Sequence, residues 1–176
     1  VNEGGVEGTK MFGIGGRSYT KSIERDLNTD FDRAEALKLG LTSGRTPEPR
    51  RQPVEAALKK TLGVWVNGVE LALEEFKRLD HLPHQILLCG GGASLEMLTD
   101  TLAKTDWYAD LPFARKPQVR LIQPNQVVGI NDTTGVIDDH TYITAMGLLR
   151  VAMDTLLQYD APGDSIRDRL NRMLRV

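Results

Sequence analysis

His84-Gln85-Ile86-Leu87-Leu88-Cys89-Gly90-Gly91-Gly92-Ala93-Ser94-Leu95-Glu96-Met97-Leu98 is the stretch whose reading decides the fold. Gln85 to Cys89 is an apolar run long enough for a buried strand and too short for a helix. Three glycines follow it directly. Ser94, Leu95, Met97 and Leu98 then open a helical pattern. A strand that passes through glycines into a helix brings bare backbone up to whatever lies at its end. No Cβ obstructs a flat ring or a phosphate there, and a helix N-terminus offers free N–H groups. The stretch reads as one side of a nucleotide site.

Working outward, strands alternate with helices, which predicts an α/β fold. Val6 to Ile14 is expected as a strand that Gly15 and Gly16 end. Tyr19, Ile23 and Leu27 recur at a spacing of four, one face of a helix. Asp32-Arg33-Ala34-Glu35 has the spacing of a capping box, with Asp32 as N-cap and Glu35 reaching back. In the bland reading of that segment, Glu35 does no more than complete the cap and Lys38 is solvated. Pro47, Pro49 and Pro53, with Arg45, Arg50 and Arg51, predict a solvated loop over 46–53, a basic docking patch being the alternative. From Val54 to Leu79 an apolar stripe of period 3.6 predicts a long helix, with Gly63 and Gly68 as weak points and Trp65 as a core residue. Val119 to Ile122 is a second short strand, ended by Pro124, and Thr141 to Leu157 is a further helix.

The bulk properties exclude several classes. A net charge of −2, from 22 basic and 24 acidic residues, gives no case for nucleic acid. The single cysteine, Cys89, excludes an internal disulfide, fits a reducing compartment, and is expected as an inert core thiol. No apolar run approaches the length of a membrane span. His81, His84 and His140 lack metal-ligand spacing.

Four separated segments together resemble the second large domain of the actin-like ATPase superfamily, whose fold is ribonuclease H-like. Phe12-Gly13-Ile14-Gly15-Gly16-Arg17-Ser18-Tyr19-Thr20 resembles its strand, glycine pair and helix with an early threonine. Ala34-Glu35-Ala36-Leu37-Lys38 is similar to the Ala-Glu-x-x-Lys segment of the cell-division and pilus-assembly members. Leu88-Cys89-Gly90-Gly91-Gly92-Ala93 looks like the adenosine motif, and Thr141 to Leu149 resembles the closing helix, with Gly147 allowing a close helix crossing. The resemblance implies that Glu35 and Lys38 face ribose and adenine. It implies also that Gly90, Gly91 and Gly92 lie along the nucleotide, with Ser94 opening the supporting helix. The cofactor implied is ATP, with Mg2+ held mainly by regions outside this chain.

Within the superfamily the chain is most similar to the FtsA-like cell-division branch. Asp164 to Val176 has Ile166, Leu170, Met173 and Leu174 on one helical face and more arginines than aspartates, and is similar to that branch's membrane-targeting helix. Asp160-Ala161-Pro162-Gly163 reads as its hinge. The organisation expected is the end of a sheet hairpin over 1–16, a small helical subdomain with the long helix over 17–83, a nucleotide-binding core over 84–159, and hinge plus amphipathic helix over 160–176. Val1-Asn2-Glu3-Gly4-Gly5-Val6 reads as a strand end, a turn and a new strand, so the chain is expected to be a fragment. The family's Asp-x-Gly-Gly-Gly-x-Thr phosphate loop is expected upstream, and no catalytic residue is assigned.

The resemblance implies protofilament formation, contact with an anionic membrane surface through 164–176, and a place in the cytoplasm on the inner face of the cell membrane. The short segment after Lys38 stands against binding of the division tubulin's tail. The alternatives are a pilus-assembly scaffold and a sugar-kinase-like enzyme fragment.

Overall fold

The computed structural model describes residues 1, 4–76 and 79–158. The hinge and basic segment expected over 160–176 lie outside them. The described helices are α1 (Gly16–Leu27), α2 (Phe31–Thr42), α3 (Glu48–Glu74), α4 (Glu96–Lys104) and α5 (Ile143–Gln158). Two strands, β1 (Gln85–Leu88) and β2 (Gln118–Leu121), pair in parallel in the register Ile86↔Val119 and Leu88↔Leu121. Parallel neighbours need a crossover, and α4 supplies it. The chain divides into two units, Val1–Leu121 and Ile122–Val176.

The core of the first unit lies among the four helices. The fourfold spacing on α1 buries Tyr19 and Ile23; α2 adds Ala34 and Leu37. The stripe of α3 buries Val54, Ala57, Leu58, Leu62 and Val66, and α4 adds Leu98 and Leu102. Leu88 and Val119 of the strands pack against this cluster. A buried polar bond ties α1 to α3: Ser22 Oγ donates to the Ala57 carbonyl oxygen at 2.9 Å, satisfying a buried hydroxyl.

Several expectations change. The N-cap of α2 is Asp30, whose carboxylate accepts from the Arg33 N–H at 2.8 Å; Asp32 stands two residues on, inside the first turn. Both aspartates have the side chain a cap needs, and spacing alone does not separate them.

The proline–arginine segment is mostly helix, since α3 begins at Glu48. Pro47 is its N-cap and Pro49 lies in the first turn, where a missing N–H is no loss. Pro53 is inside the helix. There is no break near Val64.

The segment from Val6 to Ile14 is not a strand. It has no ladder partner among the described residues, and an extended chain without one gains nothing from strand pairing. It runs back along the second half of α3 instead. Phe12 packs on Trp65, ring centroids 6.2 Å apart, and covers Gly68, while Gly8 lies against Phe76 and Lys10 pairs with Glu75. The match is metric. Four residues of extended chain cover about 13 Å, as do about nine residues of helix.

The β1 strand is not buried on both faces. Leu87 is 48% exposed and Cys89 is exposed, because a sheet covered on one side buries alternate residues only.

In the second unit, Ile143 and Met146 of α5 are buried. Leu148 and Val151 are exposed, and a Cβ on Gly147 would meet nothing within 4 Å. No described residue crosses closely over Gly147. Asp132 instead orders the loop before α5: its carboxylate accepts from Thr134 N–H at 2.9 Å, Thr134 hydroxyl at 2.6 Å and Ile137 N–H at 3.1 Å. No helix among the described residues is long and apolar enough to cross a membrane.

Candidate functional site

Starting α2 at Asp30 frees Glu35 from any capping role. It also fixes where Glu35 and Lys38 point. Ala34, Leu37 and Lys38 are the buried face of α2, so Lys38 enters the helical layer and is only 8% exposed. Glu35, one turn earlier, flanks it. The bland reading of the pair is therefore set aside by geometry.

The Lys38 ammonium reaches α1 just after the glycine pair. Its Nζ donates to the Gly16 carbonyl oxygen at 3.1 Å, to Thr20 Oγ1 at 2.9 Å and to Glu35 Oε2 at 2.7 Å. An ammonium has three N–H donors, and all three are used. The Thr20 hydroxyl, fully buried, faces both the Gly16 carbonyl at 3.0 Å and Glu35 Oε2. Its single proton is best placed on the carboxylate, the stronger acceptor. One oxygen of Glu35 thus serves two donors. The other, Oε1, accepts from no described residue, and the side chain is 34% exposed. Burial pushes the Glu35 carboxyl up. The hydrogen bonds from Lys38 and Thr20, with the Lys38 charge, outweigh that and hold it below the usual value.

The glycine turn is built differently. Gly90 has φ +81° and ψ 166°, a conformation that side-chain-bearing residues rarely adopt. Gly91–Ser94 form one turn of 3-10 helix, closed by Ala93 N–H on the Gly90 carbonyl at 3.0 Å. Ser94 belongs to this turn and not to the helix behind it, since α4 starts at Glu96. A Cβ placed on Gly90, Gly91 or Gly92 would meet no atom within 4 Å. The protein's own packing does not require glycine at 91 and 92, and the space beside them is open.

Glu35 and Lys38 are therefore together, and their hydrogen bonds run to α1, not to the glycine turn. Farther along, the two regions are neighbours. A cleft of about 510 Å3 is lined by Leu41 and Thr42 at the end of α2 and by Leu95 and Met97 just after the turn.

Sequence reasoning placed Thr20 only as an early helix threonine. Its signal lay in the fourfold spacing: Gly16 and Thr20 are one turn apart on the helix face adjoining Tyr19. Chemically, the cluster offers one carboxylate oxygen, rigidly held and able to accept, and the glycine turn separately offers bare backbone that can approach a flat ligand. No protein-family model, no curated protein and no solved structure matches this chain.

Proposed function

We propose that this chain is the adenosine side of an actin-like ATPase of the FtsA-like cell-division type. The observation that supports it is the Thr20–Glu35–Lys38 cluster. A lysine buried without any task of recognition would be an odd use of a charge, because desolvation is costly. Here it fixes a carboxylate whose second oxygen faces outward. In this reading Glu35 Oε1 accepts from the ribose hydroxyls, and Gly90 to Gly92 lie along the base. Lys38 is a positioning residue, since its donors are already used.

ATP bound in the intact protein would support protofilament growth, and the basic segment 164–176 would meet the anionic membrane surface. Mg2+ and the phosphates need groups that the chain lacks; no Asp-x-Gly-Gly-Gly-x-Thr run occurs in its sequence. Phosphoryl transfer depends on electrostatic stabilisation by such groups, so the chain alone does not hydrolyse ATP.

Calorimetry with ADP and with its 2′,3′-dideoxy analogue tests the reading. The parent chain should bind ADP about tenfold more tightly than the analogue, about the value of one charge-assisted hydrogen bond. Glu35→Gln should remove most of that difference. Absence of binding, or equal affinity for the two ligands, would sink the proposal.

A further inference from the structure

A second concave surface lies on the other side of α2, between that helix and the first turn of α3. It is a cleft of about 710 Å3, within the range of small-molecule sites. Arg33, Arg45 and Arg50 line it above a floor that includes Ala36, Leu37 and Leu39. Among the described residues no acidic side chain lines it. Arg33 and Arg50 also line an adjoining cleft of about 350 Å3.

Three other arginines have carboxylate partners: Arg25 with Asp26 at 2.9 Å, Arg51 with Glu55 at 2.9 Å, Arg150 with Asp154 at 2.8 Å. Arg17, Arg115 and Arg120 are engaged instead by Phe31, His84 and Gln85. Arg33, Arg45 and Arg50 make no ion pair among the described residues; Arg45 donates only to Ser43 Oγ at 2.9 Å. In a chain with more acidic than basic residues, three cations face one concavity without a counter-charge.

We propose that this cleft binds a phosphorylated small molecule, with its phosphate oxygens on Arg33, Arg45 and Arg50 and its organic body on Ala36, Leu37 and Leu39. The choice of phosphate follows from arithmetic. One guanidinium fork satisfies both oxygens of a carboxylate, whereas the oxygens of a phosphate can be shared among several forks. The apolar floor suits a ligand that is not phosphate alone. The site is independent of the adenosine reading, because none of its lining residues belongs to the Thr20–Glu35–Lys38 cluster.

The test is calorimetric titration of the chain with pyrophosphate at low ionic strength. The comparison is the triple variant Arg33→Gln/Arg45→Gln/Arg50→Gln, with the paired Arg51→Gln as control. The parent and Arg51→Gln should bind, and the triple variant should bind at least tenfold more weakly. Because the substitutions relieve repulsion among like charges on exposed side chains, the triple variant should melt no lower than the parent. Single Arg50→Gln provides the same comparison should the triple variant fold poorly. No binding by the parent, equal binding by the parent and the triple variant, or preference for an oligoglutamate peptide over pyrophosphate would each overturn the proposal.

Discussion

One oxygen of Glu35 does most of the organising at the α1–α2 contact, and its loss is measurable. Glu35→Ala would leave the buried Lys38 ammonium with two neutral acceptors. The expected cost is about 1–3 kcal/mol, read by urea denaturation. The pH dependence has a definite sign. The folded carboxyl lies below its ordinary 4.5, so protonation favours the unfolded chain. Its contribution is complete above the ordinary value and is lost as pH falls through the folded one. Glu35→Gln should therefore flatten the stability profile as pH falls below the ordinary carboxyl value of 4.5; an unchanged profile would show that the pair contributes nothing. Tyr19 is the opposite case. Its hydroxyl is buried with no partner among the described residues, and burial pushes its pKa up to about 12. Tyr19→Phe should be neutral or should raise stability by about 1 kcal/mol. At this scale the sequence was half legible. The i, i+3 spacing of Glu35 and Lys38 put them on one face, but nothing local said that the face turns inward, because the partners Gly16 and Thr20 come from another helix.

The helices were legible where an apolar stripe repeats over several turns, as from Val54 to Val66, and their starts were not. Asp30 and Asp32 compete for the same role, and tertiary burial of Ala34 and Leu37 goes with the earlier one. Asp30→Ala should cost about 1 kcal/mol and Asp32→Ala less than half of that; thermal melts of the two variants decide the register. Proline density misled in the same way. Prolines at the N-cap and first turn are compatible with helix, and only Pro53 removes an internal donor. The strands were located correctly, but strand burial depends on what covers the second face, and residues 85–89 do not encode that. The segment from Val6 to Ile14 failed for a related reason: strand propensity has no outlet without a partner edge.

At the scale of the whole chain, the two units differ in how they are held. The first has a core shared by α1, α2, α3 and α4. Among the described residues, the second buries only Ile143 and Met146 as hydrophobic side chains, and leaves Leu148, at 69%, and Val151 exposed. Local opening follows such differences. Amide exchange should therefore be slower at Ile23 and Leu58 than anywhere in α5, and equal protection would contradict this. The loop before α5 should nevertheless be locally ordered. Hydrogen bonds from Thr134, the largest contribution, and from Ile137 hold Asp132 down to about 2, which a carboxyl-carbon NMR titration would register directly.

Cys89 gives this architecture an experimental consequence. It is exposed, it is the sole thiol in the chain, and it immediately precedes Gly90. A maleimide dye would attach at that one point, beside the glycine turn; Cys89 does not line the Arg33 cleft. Its emission would then report directly on a ligand that settles against the glycine backbone, from a label that replaces no side chain of either proposed site.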